Sequence, residues 1–227
     1  ATSGICTLFI LFALPICAFT DQLGRGGLLK VEYFKGDTDC AGVHYGKFKE
    51  KWVQLRAFSW VKPLGQAVNL NTNASVVSGR AMGGGVVRST KGDLVFAFYK
   101  EFGEQDILSA EALALQEGLR SCQDNNLLGF VAEVDSSTLV SVVSSKLSSR
   151  WPLCNIIRHI QFLVANLGVS LVHTFREANA VADALASLNL RSDVRFSSAA
   201  DLPSKVWSLL QFDKLSTPYV RLCTVSG

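Results

Sequence analysis

The spacing of apolar and polar residues changes once along this chain, from a period of two to a helical period. Residues 68–73 alternate apolar and polar side chains, which predicts a half-buried strand. Residues 83–88 begin with a glycine run that indicates a flexible start to a second strand, and residues 94–102 are rich in aromatic and β-branched side chains. The segment 90–93 between them is typical of a turn, so the two strands form a predicted hairpin.

After residue 106 the apolar positions follow a helical spacing. Residues 107–122 contain no proline and repeat apolar side chains every three to four positions, with Asp106 or Ser109 as the predicted N-cap. The remaining predicted elements are a nearly continuous apolar strand at 128–134, helices at 137–147 and 153–167, a strand at 169–175 and a helix at 179–188. This order predicts an α/β fold with a mixed five-stranded sheet, in which three antiparallel strands precede alternating helices and parallel strands, flanked by helices.

The two ends of the chain lack this pattern. Residues 5–19 are almost wholly apolar but shorter than the about 20 residues that span a bilayer. They fit the apolar part of a secretory signal, although no Lys or Arg precedes them, and an artefact or a buried segment is the alternative. We therefore expect a hydrophobic signal-like segment at 1–20, an extension and connector at 21–65, a folded domain at 66–190 and a tail at 191–227. We expect an intracellular location, nucleus or cytoplasm, with secretion possible through residues 1–20.

Composition and charge narrow the classes of function. Hydrophobic residues make up 48% of the chain and charged residues 18%, enough to form a core. Residues 66–190 carry nine Lys or Arg and eleven Asp or Glu, and no segment has a dense basic stripe. Nucleic-acid binding would therefore depend on a metal site and on shape more than on charge. The six cysteines form no C-x-x-C pair and no zinc spacing with histidine, which favours a reduced compartment.

Three acidic residues and one asparagine lie at the joints of the predicted elements. Glu111 lies early in the first helix, Asp135 ends the fourth strand, Asp183 lies in the last helix and Asn73 lies in the first strand. Hydrolysis of a phosphodiester with two metal ions requires several carboxylates in one small space, because Mg²⁺ prefers oxygen ligands. The spacing predicts that these four positions form one catalytic and metal-binding site, with Asn73 as its degenerate member.

A second carboxylate near the first strand could restore what Asn73 lacks. Asp93 and Glu133 are the candidates, but strand alternation predicts that the side chain of Glu133 points away from this site.

Residues from about Trp60 to Leu190 resemble the ribonuclease-H-like domains of plant retroelement-derived, reverse-transcriptase-like proteins. The segments that carry the resemblance are NLNTNAS at 69–75, GGGVVR at 83–88, AEALAL at 110–115, EVDS at 133–136 and REANAVADALA at 176–186. The tail, with Leu202-Pro203 and Asp213-Lys214, resembles such proteins weakly. The resemblance implies cleavage of the RNA strand of RNA–DNA hybrids with four carboxylates and two Mg²⁺ or Mn²⁺ ions, without a small-molecule cofactor, in a monomer.

By that resemblance, Glu111, Asp135 and Asp183 match the second, third and fourth carboxylates of the family. The family has Asn-Thr-Asp-Gly where this chain has Asn71-Thr-Asn-Ala74, so Asn73 replaces the aspartate that bridges the two metals. An amide cannot bridge them as a carboxylate does, and the loss would slow catalysis by on the order of a thousandfold or more.

The resemblance also implies where nucleic acid would bind. The implied partner is an RNA–DNA hybrid or another duplex, and the implied contacts are Thr72, Ala74, Ser75, Arg176 and Asn179. Arg176 could instead pair with Glu177, and Asn179 could cap the last helix. We expect His173 to be a structural residue. Three functions stay open: a metal-dependent hybrid endonuclease, a non-catalytic nucleic-acid-binding module, and a decayed retroelement remnant.

Overall fold

The structure is a computed structural model that describes residues 28–38, 44–63, 68–145 and 152–224. Side chains are described for residues 56–63, 68–145 and 152–221. The predicted signal-like segment at 1–20 lies outside the described residues. Two compact units are present, one spanning Phe58–Tyr219 and one formed by the segments on either side of it. No helix among the described residues is both long and apolar enough to cross a membrane.

The flanking unit contains a three-stranded sheet. Its strands, in the order β1-β2-β9, are β1 (Leu28–Thr38), β2 (His44–Phe58) and β9 (Tyr219–Thr224), and β1 is antiparallel to β2. We predicted only an extension in residues 21–65, so the two strands are a finding of the structure. Their sequences mix lysines and glutamates with single apolar residues without a clean period, which gives only a weak strand signal.

The central unit, Phe58–Tyr219, is an α/β fold around a six-stranded mixed sheet. The strands are β3 (Asn69–Val77), β4 (Arg80–Arg88), β5 (Leu94–Glu104), β6 (Val131–Val134), β7 (Ser170–His173) and β8 (Val194–Phe196). The helices are α1 (Ile107–Asp124), α2 (Ser137–Ser144), α3 (Leu153–Leu167), α4 (Ala180–Ala186) and α5 (Ser204–Lys214), with 3-10 turns at Arg176–Asn179 and Ala199–Asp201. The sheet order is β7-β6-β3-β4-β5-β8.

The pairing confirms the predicted mixed sheet and adds one strand to it. Strands β3, β4 and β5 are successively antiparallel, whereas β6 and β7 run parallel to β3. The sixth strand, β8, pairs with β5 and lies in the segment that we expected to be a tail. Its three residues are too few to show a period of two, which is why the sequence pattern does not indicate it.

Alternation along β3 divides apolar from polar side chains between the two faces of the sheet. Leu70 packs into a large cluster with α1, α2 and α3, which includes Leu115, Leu119 and Ile160. A smaller cluster on the opposite face contains residues of α4 and α5. Asn69, Asn71 and Asn73 alternate with Leu70, so they point to the opposite, smaller side. The polar positions of β3 are thus brought to the face that carries α4.

Gly84 allows α4 to lie directly on the sheet. In β4, Gly84 pairs with Asn73, and a Cβ atom on Gly84 would lie 2.4 Å from the backbone nitrogen of Ala186 and 2.5 Å from Cβ of Leu185. The glycine run that we expected to be a flexible start is therefore a buried part of β4. Because no side chain separates α4 from β4, α4 carries Asp183 close to Asn73.

Two predicted helix boundaries are confirmed. Asp106 caps α1, since its carboxylate accepts hydrogen bonds from the backbone nitrogen and the hydroxyl of Ser109, at 3.0 and 2.7 Å. Gly168 ends α3 in a left-handed conformation with φ 64°. The first boundary fixes the turn of α1 that presents Glu111.

Candidate active site

The side chain of Asn73 faces that of Asp183. The Asn73 amide nitrogen donates a hydrogen bond to Oδ1 of Asp183 at 3.0 Å, and its carbonyl oxygen accepts one from the backbone nitrogen of Ala74 at 2.8 Å. These neighbours fix the orientation of the amide, because rotating it would set oxygen against carboxylate and N–H against N–H. Position 73 therefore presents hydrogen-bond donors to the site, where an aspartate would present a second carboxylate oxygen.

Arg176 binds the same carboxylate oxygen. Its Nη2 atom donates to Oδ1 of Asp183 at 3.1 Å, while the guanidinium is 72% exposed. The sequence left two alternatives for Arg176, a contact to phosphate or a pair with Glu177. The ion pair with Asp183 is a third arrangement. Asp183 Oδ1 thus accepts from a neutral amide and from a cation at once.

Asp135 and Glu111 complete the corner of the sheet. Burial raises the pKa of Asp135; the neighbouring Asp183 acts in the same direction, and Arg176 and His173 oppose it. Burial likewise raises the pKa of Glu111, with a hydrogen bond from Ser136 lowering it and the charge of Asp135 raising it. The charge of Asp135 therefore acts on Glu111 and that of Asp183 acts on Asp135, while Asn73 is joined to these carboxylates by its hydrogen bond to Asp183.

His173 in β7 pairs with Val134 of β6, the residue directly before Asp135. We expected a structural residue, but its side chain is exposed at the end of β7. Its ring meets the ring of Phe175 edge-on, with centroids 5.9 Å apart, and its charge favours the ionised form of Asp135. The sequence did not indicate that His173 is exposed, because a single histidine in a short apolar strand does not show which way it points.

The predicted nucleic-acid contacts divide into exposed and buried residues. Ala74 and Ser75 are partly exposed where β3 continues past Asn73. The side chain of Thr72 is buried, as is that of Asn179. Asn179 donates to the backbone oxygen of Thr72 at 3.0 Å and makes no side-chain bond that caps α4. Asn179 is therefore a buried residue that links the turn before α4 to β3. Direct contact to nucleic acid stays a prediction for the exposed residues.

A buried polar network, missed by the sequence pattern, supports Asn71 two residues before Asn73. Arg88 is fully buried; its Nη2 atom donates to Oδ1 of Asn71 at 2.6 Å and its guanidinium stacks 3.5 Å from the centre of the Trp60 ring. The Asn71 amide nitrogen donates to Glu133 at 2.8 Å and to Asn179 at 3.1 Å. Asn71 thereby links β4, β6 and the turn before α4.

The far end of this network is Asp213 in α5. Arg88 donates through Nη1 to the Asp213 carboxylate, which also accepts a hydrogen bond from the hydroxyl of Tyr219 at 3.0 Å. Burial lowers the pKa of Arg88 and raises that of Asp213, while each partner acts against the shift of the other. Desolvation thus opposes both charges, and their mutual pairing offsets it.

Neither candidate carboxylate takes the place of residue 73. The expectation that Glu133 points away is wrong, because Glu133 lies on the side of Asn71, and Asn71 and Asn73 share one face of β3. Its carboxylate is nevertheless held by Asn71, and burial raises its pKa. Asp93 lies in the turn after β4 and pairs with Lys214 at 2.6 Å; this turn follows Arg88, the partner of Asn69, four residues along β3 from Asn73.

Comparison with known proteins identifies the family to which this chain belongs. Residues 69–189, more than half of the chain, match the family described as Reverse transcriptase-like. The chain belongs to this reverse-transcriptase-like family. It is 30% identical over 169 residues to an Arabidopsis thaliana protein named "Putative ribonuclease H protein". That stretch is 73% of this chain and 27% of the relative, so the chain spans about a quarter of the relative's length.

Solved structures show the fold of this reverse-transcriptase-like domain. The N-terminal ribonuclease H domain of a Mycobacterium tuberculosis protein aligns with a TM-score of 0.50 and 20% identity, over 54% of this chain and 91% of that one. LC11-RNase H1, isolated from compost and crystallised with an RNA/DNA hybrid, aligns with a TM-score of 0.48 and 23% identity, over 52% and 92% of the two chains. The ribonuclease-H-like α/β fold with a mixed sheet is therefore confirmed.

The family's ribonucleases H use divalent metals, and the residues of this reverse-transcriptase-like domain can be tested against that requirement. Carboxylate oxygens of Glu111, Asp135 and Asp183 are suitable ligands. However, among the described residues no three His, Cys, Asp or Glu side chains converge closely enough to hold a metal ion. The amide of Asn73 and the guanidinium of Arg176 both direct N–H groups at Asp183. As arranged, these side chains do not fit a pair of metal ions.

Proposed function

We propose that this chain is a ribonuclease-H-like nucleic-acid-binding domain that binds an RNA–DNA hybrid or another duplex, and in which hydrolysis of the RNA strand is impaired at Asn73. The observation that carries the proposal is the hydrogen bond from the Asn73 amide to Asp183. It sets a donor at the position where phosphodiester hydrolysis on this fold requires an anionic oxygen.

The size of the impairment follows from charge. An asparagine at position 73 removes one negative charge and one carboxylate oxygen from a site that must bind cations. A loss of about 4 kcal/mol of transition-state stabilisation corresponds to roughly a thousandfold in rate. Glu111, Asp135 and Asp183 are retained, and an aspartate at position 73 would supply the fourth carboxylate and remove the N–H group that Asn73 directs at Asp183, which is why we expect this single substitution to restore cation binding.

Binding does not depend on that missing charge. Residues 66–190 carry a small net negative charge, so duplex binding has to come from local contacts. The exposed groups beside the site, at Ala74, Ser75 and Arg176, support contacts to a sugar–phosphate backbone. The family of the chain and the hybrid bound by LC11-RNase H1 indicate an RNA–DNA hybrid as the first ligand to test.

The test compares three forms of the full chain: the natural sequence, Asn73→Asp, and Asn73→Asp combined with Asp135→Asn. Each is incubated with a hybrid labelled on its RNA strand, in Mg²⁺ and in Mn²⁺, and its affinity for the same hybrid is measured by fluorescence anisotropy in EDTA. We expect all three to bind, Asn73→Asp to cleave roughly a thousandfold faster than the natural chain, and the double variant to show no such gain.

Two results would contradict the proposal. Cleavage by the natural chain at the rate of Asn73→Asp would show that Asn73 is tolerated and that the protein is a working ribonuclease. Failure of all three forms to bind the hybrid would remove the nucleic-acid-binding function itself.

A further inference from the structure

Three aromatic rings form an exposed cluster beside the candidate site. Phe175 is 56% exposed and contacts two other rings, Phe58 at 4.8 Å between centroids and His173 at 5.9 Å. The interplanar angles are 55° and 74°, so neither neighbour covers Phe175 by parallel stacking. We call Phe58, His173 and Phe175 the ring cluster. Phe175 is held from two sides, and more than half of its surface is open to solvent.

The ring cluster borders the candidate site. His173 ends β7, the outermost strand on that side of the sheet, and its charge acts on Asp135. Arg176, the residue after Phe175, donates to Asp183. Phe175 therefore lies two residues beyond His173, which pairs with Val134 directly before Asp135, at the edge of the sheet where β6 and β7 end. A strand of nucleic acid that leaves the site on this side would pass over it.

The ring cluster and Arg176 together supply the two contacts that a nucleotide needs. An aromatic side chain stacks on any unpaired base, because every base has a π-face. The Arg176 guanidinium is 72% exposed, and an ion pair as exposed as the one with Asp183 contributes little, so a phosphate oxygen can compete for the guanidinium. Bases inside a duplex are already stacked between neighbours, which excludes them from an exposed protein ring.

We propose that the ring cluster stacks an unpaired nucleobase of a single strand that extends from a duplex at the candidate site, with Arg176 bound to the adjoining phosphate. This inference rests on the nucleic-acid binding proposed above. It assigns the chain a preference for junctions between duplex and single strand.

The test uses the full chain and a control ring elsewhere on the surface. Phe162 in α3 is 57% exposed and lies 6.4 Å from the ring of His159, so Phe162→Leu matches Phe175→Leu in exposure and in its histidine neighbour. Dissociation constants are measured by anisotropy, in EDTA and at fixed salt, for a blunt hybrid, for the hybrid with a single-stranded overhang, and for the hybrid with an abasic overhang.

We expect the overhang to tighten binding at least about fivefold over the blunt hybrid, and the abasic overhang to lack this gain. Phe175→Leu should abolish the gain, Phe175→Tyr should keep it because a ring remains, and Phe162→Leu should leave it unchanged.

The outcomes separate the two proposals. If all forms bind the blunt hybrid but the overhang adds nothing, or Phe162→Leu removes the gain as Phe175→Leu does, the ring-cluster proposal is overturned and duplex binding stands. If only free single strands bind, and binding depends on Phe175, the ring cluster is supported and the duplex-binding proposal fails. If no nucleic acid binds, both are overturned.

Discussion

At the scale of single residues, Asn73 and Arg88 show two different relations between a side chain and its surroundings. Asn73 differs from an aspartate only by nitrogen in place of oxygen, so it keeps its place between β4 and Asp183 while reversing the polarity of one contact. Arg88 is a charged side chain that is fully buried, and its burial is offset by contacts with Asp213, Asn71 and Trp60. The first residue affects chemistry and spares the fold, whereas the second supports the fold beneath the site.

Replacing Arg88 should therefore reduce stability strongly. Arg88→Met leaves the Asp213 charge buried and unpaired, and we expect a loss of about 3–5 kcal/mol in the free energy of unfolding. Urea denaturation followed by circular dichroism measures it. The control is Lys214→Met, which breaks the exposed ion pair between Lys214 of α5 and Asp93 and should leave the urea midpoint nearly unchanged, because exposed ion pairs contribute little.

A double variant checks the cause. Arg88→Met with Asp213→Leu removes both charges, so it should recover most of the stability lost in Arg88→Met. Equal instability of the double and single variants would show that the loss comes from packing around Trp60 and Asn71, and not from the unpaired charge.

The sequence predicts which residues form the candidate site, but it does not predict the buried network behind them. Asp135 follows an apolar strand and Asp183 lies on a small-residue helix, so their convergence follows from topology once the order of elements is known. The partners of Arg88 lie 17 and 125 positions away, and no local period encodes such contacts. Glu133 was assigned to the wrong face because alternation was counted along β6 alone, without the register that sets Glu133 opposite Asn71 of β3.

At the scale of elements, strong periods gave the right structure and weak ones did not. Helix α3 was predicted with its bounds, because an apolar stripe lies between a proline and a glycine that both favour helix ends. The strand predicted at residues 68–73 extends to Val77 as β3, since pairing with β4 continues through partly exposed residues. Strands β1 and β2 were missed because their sequences show no clean period of two, and β8 was missed because it has only three residues.

Helices α1 and α3 each carry a free cysteine in a different environment, which predicts different reactivity. Burial within α1 raises the pKa of Cys122 to about 12, whereas Cys154 near the start of α3 is partly exposed. A raised pKa keeps the thiol neutral below that value, so at pH 8 only on the order of one Cys122 in 10⁴ is thiolate. Iodoacetamide should modify Cys154 and spare Cys122.

Peptide mapping by mass spectrometry measures each cysteine separately. Unfolding the chain in urea before alkylation is the control and should make both sites react at similar rates. Modification of Cys122 in the folded chain as fast as Cys154 would contradict its burial between α1 and the sheet.

At the scale of the whole molecule, the folded unit extends beyond the part that defines the family. The family match ends at residue 189, yet the compact unit reaches Tyr219. The segment after 189 adds β8 to the sheet and closes the smaller core with Phe196, Leu202, Val206 and Leu210. It also supplies Asp213, the buried partner of Arg88. The residues near Asn73 are therefore supported from a segment that no site motif marks.

A chain that stops after residue 190 should consequently fail to fold. The truncation removes four buried apolar side chains, each contributing about 1.5–3 kcal/mol, which together equal the whole stability of a typical domain. It also removes Asp213 and leaves the buried charge of Arg88 without its carboxylate partner. Near-ultraviolet circular dichroism and urea denaturation of residues 1–190 should show no cooperative transition, in contrast to the full chain. Within the full chain, Leu210→Ala in α5 should cost about 2–5 kcal/mol, and Trp207→Ala, on the exposed side of the same helix, distinctly less. A cooperative transition in residues 1–190 with the midpoint of the full chain would mean that the family-matching part folds alone, and that α5 covers the sheet without supporting the site.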